Sequence, residues 1–227
     1  MHILSPFITA GDDIDFAPGS SLPAHFTYWR YPIPESYTIS PPDHPNTLRL
    51  TPSSLNLTAL NGNYAGPTGQ TFVGRRQQDT LFTYSVDLEF SPTVAEEEAG
   101  VSVFLTQNHH LDMGVVLLPA RAATAPFPGT NETEPADLSK LVPHLRFRGI
   151  SYIPVPEDVI VPLPTEWAGS PLRLEIKAFN VTHYSFSAGP ASALSEMKTI
   201  ITASNDAVSW GFTGKPALYP FFRGMTK

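Results

Sequence analysis

Residues 172–177 read Leu-Arg-Leu-Glu-Ile-Lys, with an apolar side chain at every second position and a charged one between. In an extended chain successive side chains point to opposite faces. Leu172, Leu174 and Ile176 therefore share one face, and Arg173, Glu175 and Lys177 the other. Such a strand has one side in a core and one toward water, as in an antiparallel sheet packed face to face on a second sheet. The same rhythm recurs upstream. Val86, Leu88 and Phe90 alternate with Ser85, Asp87 and Glu89, and Val101, Val103 and Leu105 fall on one side of their segment. Leu145 and Phe147 alternate with Arg146 and Arg148.

Further strands are expected over 24–31, 47–51, 71–76, 111–118, 159–161, 182–187, 199–202, 208–212 and 217–222. The 24 prolines are spread along the whole chain, which leaves no room for long helices. Thr93 to Ala99 is expected to form at most one turn, and the run Glu96, Glu97, Glu98 reads as a solvated one. About a dozen short strands imply an all-β fold, a concanavalin A-like sandwich (jelly roll) of antiparallel strands. The stretch 119–140, PARAATAPFPGTNETEPADLSK, has no periodicity and reads as a long exposed loop. A strand pattern resumes straight after it, so 1–227 is read as one β-sandwich domain.

Composition narrows the function. With Lys and Arg at 14 against 21 Asp and Glu, the net charge is −7. That disfavours nucleic acid, whose phosphates need clustered cations, and equally an anionic membrane surface. No apolar run reaches spanning length. Cysteine is absent, so no disulfide or thiolate metal site can form. Three glycosylation sequons, at Asn56, Asn131 and Asn180, point to a secreted, extracellular protein. Met1 to Ala10 lacks the basic start and long apolar stretch of a signal peptide.

The residues give catalysis little support. No G-x-S-x-G elbow or phosphate-cradling glycine loop occurs. His109 and His110 are adjacent and on a strand face opposite ways, whereas His110 and Asp112 share a face. Asp87 and Glu89 share a face roughly 7 Å apart, a spacing compatible with paired glycosidase carboxylates, but alternation on a wet face accounts for them equally. Asp12, Asp13 and Asp15 are the candidates for a calcium ion, with a solvated loop as the alternative; no other cofactor is expected. Aromatics are 11% of the chain and charges only 15%, which suits a sugar-binding surface of aromatic platforms flanked by planar polar groups. The candidates are Trp29, Tyr31, Phe104, Tyr152 and Trp210, each of which could instead be core, with Arg75, Gln77, Asn108 and His109.

Several motifs, in order, resemble a known family. Thr71-Phe-Val-Gly-Arg-Arg-Gln77 leads into GRRQQDTLFTYSVDLEF, followed by AGVSVFLTQNHHLDMGVVLL. Trp29-Arg-Tyr-Pro32 opens the pattern and Trp210-Gly-Phe-Thr-Gly214 closes it. Together they resemble the C-terminal β-sandwich domain of glycoside hydrolase family 43 β-xylosidases and arabinofuranosidases, also classed as carbohydrate-binding module family 91. LRFRGISYIPVPEDVIVPLP and LRLEIKAFNVTHYSFSAGP are similar to fungal members. The resemblance spans about residue 12 to 222.

The resemblance implies that the catalytic carboxylates sit on a preceding five-bladed propeller of roughly 300 residues. The chain alone is then expected to be non-catalytic, an accessory module for xylan or arabinoxylan. Its alternative role is to complete the active site of such a propeller; a free-standing glycosidase is the remaining reading. In the family this domain packs on the propeller, so Arg75, Arg76 and Gln77 could serve that interface, sugar contact or internal structure. One of the arginines could be buried against a carboxylate.

Overall fold

Each charged residue of 172–177 lies on the wet side of a sheet and each apolar one in the core. The computed structural model describes residues 11–59, 69–129, 137–209 and 217–221. In chain order the strands are β1 (Phe26–Thr27), β2 (Tyr37–Ile39), β3 (Leu48–Leu50), β4 (Gly74–Arg75), β5 (Phe82–Leu88), β6 (Glu98–Thr106) and β7 (His109–Pro119). Then come β8 (Leu141–Ile150), β9 (Val159–Pro162), β10 (Leu172–Ala178), β11 (His183–Pro190), β12 (Lys198–Ser204) and β13 (Ala217–Phe221). One seven-stranded sheet runs β1-β4-β13-β6-β7-β8-β9, one four-stranded sheet runs β12-β11-β10-β5, and β2 pairs β3. Every pairing is antiparallel.

The two larger sheets close on one apolar layer. Val101, Val103, Leu111, Met113, Leu145 and Phe147 meet Leu172, Leu174, Ile176, Tyr184 and Phe186. Phe147 and Phe186 touch edge to face at 5.1 Å. Each fully buried side chain of this kind contributes about 1.5–3 kcal/mol. A second, small cluster of Leu57, Phe72 and Phe104, with Trp29 against it, closes one end of the seven-stranded sheet.

The sheets differ on their outer faces. Arg173, Glu175, Lys177, Ser185 and Ser187 line a shallow polar groove on the four-stranded sheet. The outer face of β6, β7 and β8 is buried instead, and carries Glu98, Ser102, His110, Asp112, His144 and Arg146. That is why β7 shows no alternation of burial. Gly100 and Gly114 oppose each other there; a Cβ on Gly114 would come 2.6 Å from the Ala99 carbonyl oxygen, so the close approach itself requires glycine.

Some expectations change. The strand expected over 24–31 shortens to β1 and that over 71–76 to β4. Residues 205–208 form a 3-10 turn rather than starting a strand, and 210–212 lie outside the described residues. The acidic run is not a solvated turn. Only 94–96 form the turn. The Glu97 carboxylate accepts from the Thr93 and Val94 amides, and Glu98 is buried within β6, paired with Arg146. The stretch 119–140 is only partly loop: Pro119 belongs to β7, and Phe127 is buried edge to face against Trp167 at 4.8 Å. A bulky aromatic in a proline-rich stretch has no period to betray its burial.

Candidate functional site

A deep concavity lies at the open edge of the sandwich, between β5 and the β1–β4 end of the seven-stranded sheet. It has a volume of about 710 Å³. Its walls include Phe26, Arg75, Gln77, Asp79 and Tyr84, with Asp12 at the rim. The geometry follows from strand register. Phe26 and Arg75 are partners across β1 and β4, while Tyr84 pairs Ile176 on the inward side of β5. Among the described residues no strand continues either sheet at this edge, so Tyr84 is only half-buried where Ile176 is sealed.

Arg75 is held by a carboxylate, as one reading of the Arg-Arg-Gln run expected. Its Nε donates to Asp12 Oδ2, both its terminal nitrogens donate to Gln78 Oε1 at 3.1 Å, and Nη1 also donates to the Arg76 carbonyl at 3.2 Å. His25 Nε2 meets the same Asp12 oxygen at 3.2 Å. Burial pushes the Asp12 carboxyl up, but the bonds and charges of Arg75 and His25 outweigh it and hold the group below its usual value. Burial, with a smaller contribution from the Asp12 charge, pushes the Tyr84 phenol well above its usual value, so it stays a neutral donor.

Gln77 is the distinctive wall residue. Its Nε2 donates to the Asp79 carbonyl at 2.7 Å, which fixes the amide plane. Its Oε1 is buried and has no hydrogen-bond partner. A buried acceptor left unmade costs about 1–3 kcal/mol.

The other sugar candidates divide into three groups. Asn108, His109 and Tyr152 come together at the tip of the β6–β7 hairpin. Asn108 Nδ2 donates to the Tyr152 hydroxyl at 3.0 Å, and the His109 ring meets the Tyr152 ring edge to face at 4.7 Å. Tyr152 is 70% exposed and Tyr31 is 89% exposed. His109, by contrast, is buried, and burial lowers its pKa; its ring supports Tyr152 instead of offering a surface. Phe104 takes the core reading that was its alternative, and Trp29 is half-buried against it. Phe104 is fully buried, edge to face with Trp29 at 5.0 Å and stacked on His110 at 5.5 Å. Trp210 lies outside the described residues.

The remaining candidates separate in the same way. His110 and Asp112 do share a face, and they bond to each other: His110 Nδ1 to Asp112 Oδ2 is 2.8 Å, and Ser102 Oγ donates to Asp112 Oδ1 at 2.5 Å. Asp87 is clamped by both arms of Arg173, and Glu89 faces His44 at 3.3 Å. Neither carboxylate stands free as a catalytic pair requires. Of the calcium candidates, Asp12 is committed to Arg75 and His25, and Asp15 accepts from the Ala17 amide; Asp13 is exposed. Among the described residues no three His, Asp or Glu side chains converge as metal ligands. Asn180 sits in an exposed turn, its Oδ1 accepting from the Thr182 amide and hydroxyl. Asn56 is half-buried, its Oδ1 taken by Thr58 and Ala59, and Asn131 lies outside the described residues.

Comparison with known proteins fits this architecture. Residues 13–124 match the family model of the β-xylosidase C-terminal concanavalin A-like domain. The fold is thus a concanavalin A-like β-sandwich. Among solved structures, a variant of the GH43 protein BlXynB from Bacillus licheniformis matches 93% of this chain at 16% identity and a TM-score of 0.61, with 35% of that chain covered. The xylan β-1,4-xylosidase of Bacillus halodurans C-125 matches 98% at 14% identity and a TM-score of 0.62, with 37% of it covered. A GH43_12 protein retrieved from a capybara gut metagenome matches 90% at 18% identity and a TM-score of 0.59, with 34% covered. This chain therefore spans a little over a third of the length of the structures it resembles. No curated protein sequence matches it.

Proposed function

We propose that this chain is the accessory β-sandwich of a glycoside hydrolase family 43 type protein, and that it binds xylan or arabinoxylan without doing chemistry. The observation that carries the reading is the edge cleft itself, about 710 Å³ and walled by the planar polar groups of Arg75 and Gln77 beside Phe26 and Tyr84. Sugar hydroxyls pair with polar groups of this kind. Tyr84 adds a neutral hydroxyl, and Phe26 an apolar face for a sugar's C–H groups. Each such hydrogen bond nets only about 0.5–1.5 kcal/mol, so affinity is weak and rises with the number of sugar units engaged.

Affinity electrophoresis tests the reading. The intact chain should be retarded in gels cast with xylan or arabinoxylan and run freely in gels without polysaccharide. Equal mobility in every gel refutes it.

A second reading rests on length. Because the resembled structures are nearly three times as long, this sandwich would work beside a family 43 propeller and complete its active site. Joining or mixing the two should raise turnover of an aryl xyloside above the propeller alone; unchanged turnover counts against it. The exposed sequon at Asn180 supports a secreted protein carrying a glycan there.

A further inference from the structure

Strand register sets the composition of the outer face of the four-stranded sheet. With Leu174 and Ile176 in the core, β10 turns Arg173, Glu175 and Lys177 outward. Their partners on β5 are Asp87, Ser85 and Thr83, and on β11 Gly189, Ser187 and Ser185. Ser187 and Ser185 pair in turn with Thr199 and Thr202 on β12. Every side chain at these outward positions is a hydroxyl or a charge. Arg173 and Lys177 balance Asp87 and Glu175, so the face is neutral on a chain that carries −7.

The face is closed at two ends by apolar groups. A Cβ on Gly189 would lie 2.9 Å from the Met197 Cα, so the backbone after the Leu194–Glu196 turn rests on the outer face there. Leu194 of that turn is exposed and lines the groove with Met197. At the opposite end Phe179, also exposed, lines the same groove. Gly189 pairs Arg173, and Phe179 stands six residues past Arg173, so the two ends lie about 20 Å apart along the strand. The groove between them has a volume of about 600 Å³.

That arrangement selects the ligand. A protein partner needs an apolar centre with its charges at the rim, and here the centre is polar and the ends apolar. Nucleic acid needs an excess of cations. A neutral, polyhydroxylated chain uses both parts. Its hydroxyls exchange hydrogen bonds with the floor, and its C–H faces lie against Phe179 and Leu194.

We propose that this groove is a second saccharide site, for a neutral polysaccharide chain long enough to touch both ends. The choice of xylan as that chain rests on the reading of the protein as a xylan-binding module. The groove shares no lining residue with the edge cleft, so a short fragment fills the cleft and a long chain is needed for the groove.

Affinity electrophoresis in polymeric xylan, with calorimetry on xylotriose, tests the assignment. Phe179→Ala and Lys177→Ala, combined in one protein, should weaken polymer binding about tenfold and leave xylotriose binding unchanged. Gln77→Ala should weaken xylotriose binding and keep the groove's share of polymer retardation. Both groove side chains are exposed, so the double variant keeps its fold, which an unchanged urea midpoint verifies. Polymer retardation equal to that of the native chain overturns the groove and leaves the cleft reading standing. Polymer binding lost in the double variant, with both ligands unaffected by Gln77→Ala, upholds the groove and removes the cleft. Retardation of neither the native chain nor any variant overturns both.

Discussion

Arg146 and Glu98 form an ion pair on the outer face of the seven-stranded sheet, Nη2 to Oε2 at 2.5 Å, with neither side chain more than 4% exposed. Arg146 reaches the pair from β8 across the Gly100–Gly114 gap, and its Nη1 also meets Glu96 at 3.1 Å. Removing one partner strands the other charge out of water. Glu98→Ala should therefore cost about 3–5 kcal/mol of stability, read as a large fall in the urea midpoint.

The Arg173–Asp87 pair gives the contrasting case. Its bonds are as short, at 2.6 and 2.7 Å, but both side chains reach solvent. Water screens the attraction and replaces it when lost. Asp87→Ala should cost no more than about 1 kcal/mol. A loss as large as that of Glu98→Ala would show that this face is covered in the working protein.

Acid should weaken the fold before the carboxylates titrate. Burial holds the His144 pKa below its ordinary 6.5, against the opposing pull of its bond to the Val142 carbonyl. The folded form thus keeps the imidazole neutral, while the unfolded chain takes up a proton near 6.5. The contribution is complete above that value and is lost as pH falls through the lowered folded value. Unfolding midpoints measured from about pH 7.5 down to about 5 should fall, and His144→Gln should flatten the slope.

Phe104 separates core from surface. Phe104→Ala should cost about 3–5 kcal/mol through the cavity it leaves beside Trp29 and Phe72. Xylan retardation, measured well below the melting point, should persist in the folded fraction. Loss of binding with no loss of stability would return Phe104 to the sugar surface.

The alternation in 172–177 and its neighbours was enough to read the two sheets and their inner faces, because a half-buried strand writes its orientation into every second residue. It could not reveal the outer face of β6 to β8. Glu98 and Arg146 look solvated in sequence, and only their pairing across strands 48 residues apart in the chain makes their burial tolerable. The site was legible in the same partial way. Arg75 and Gln77 stood out in the Arg-Arg-Gln run and do line the cleft. Tyr84 was not singled out, since nothing local says that β5 ends its sheet.

Calorimetric titration of the intact chain and of Gln77→Ala with a neutral xylo-oligosaccharide tests the central claim most directly. The account predicts weak but saturable heat with the native chain, and an affinity lower by about tenfold in the variant as the cleft loses a polar wall group. No heat with any xylan fragment, or equal affinity in both proteins, would contradict it.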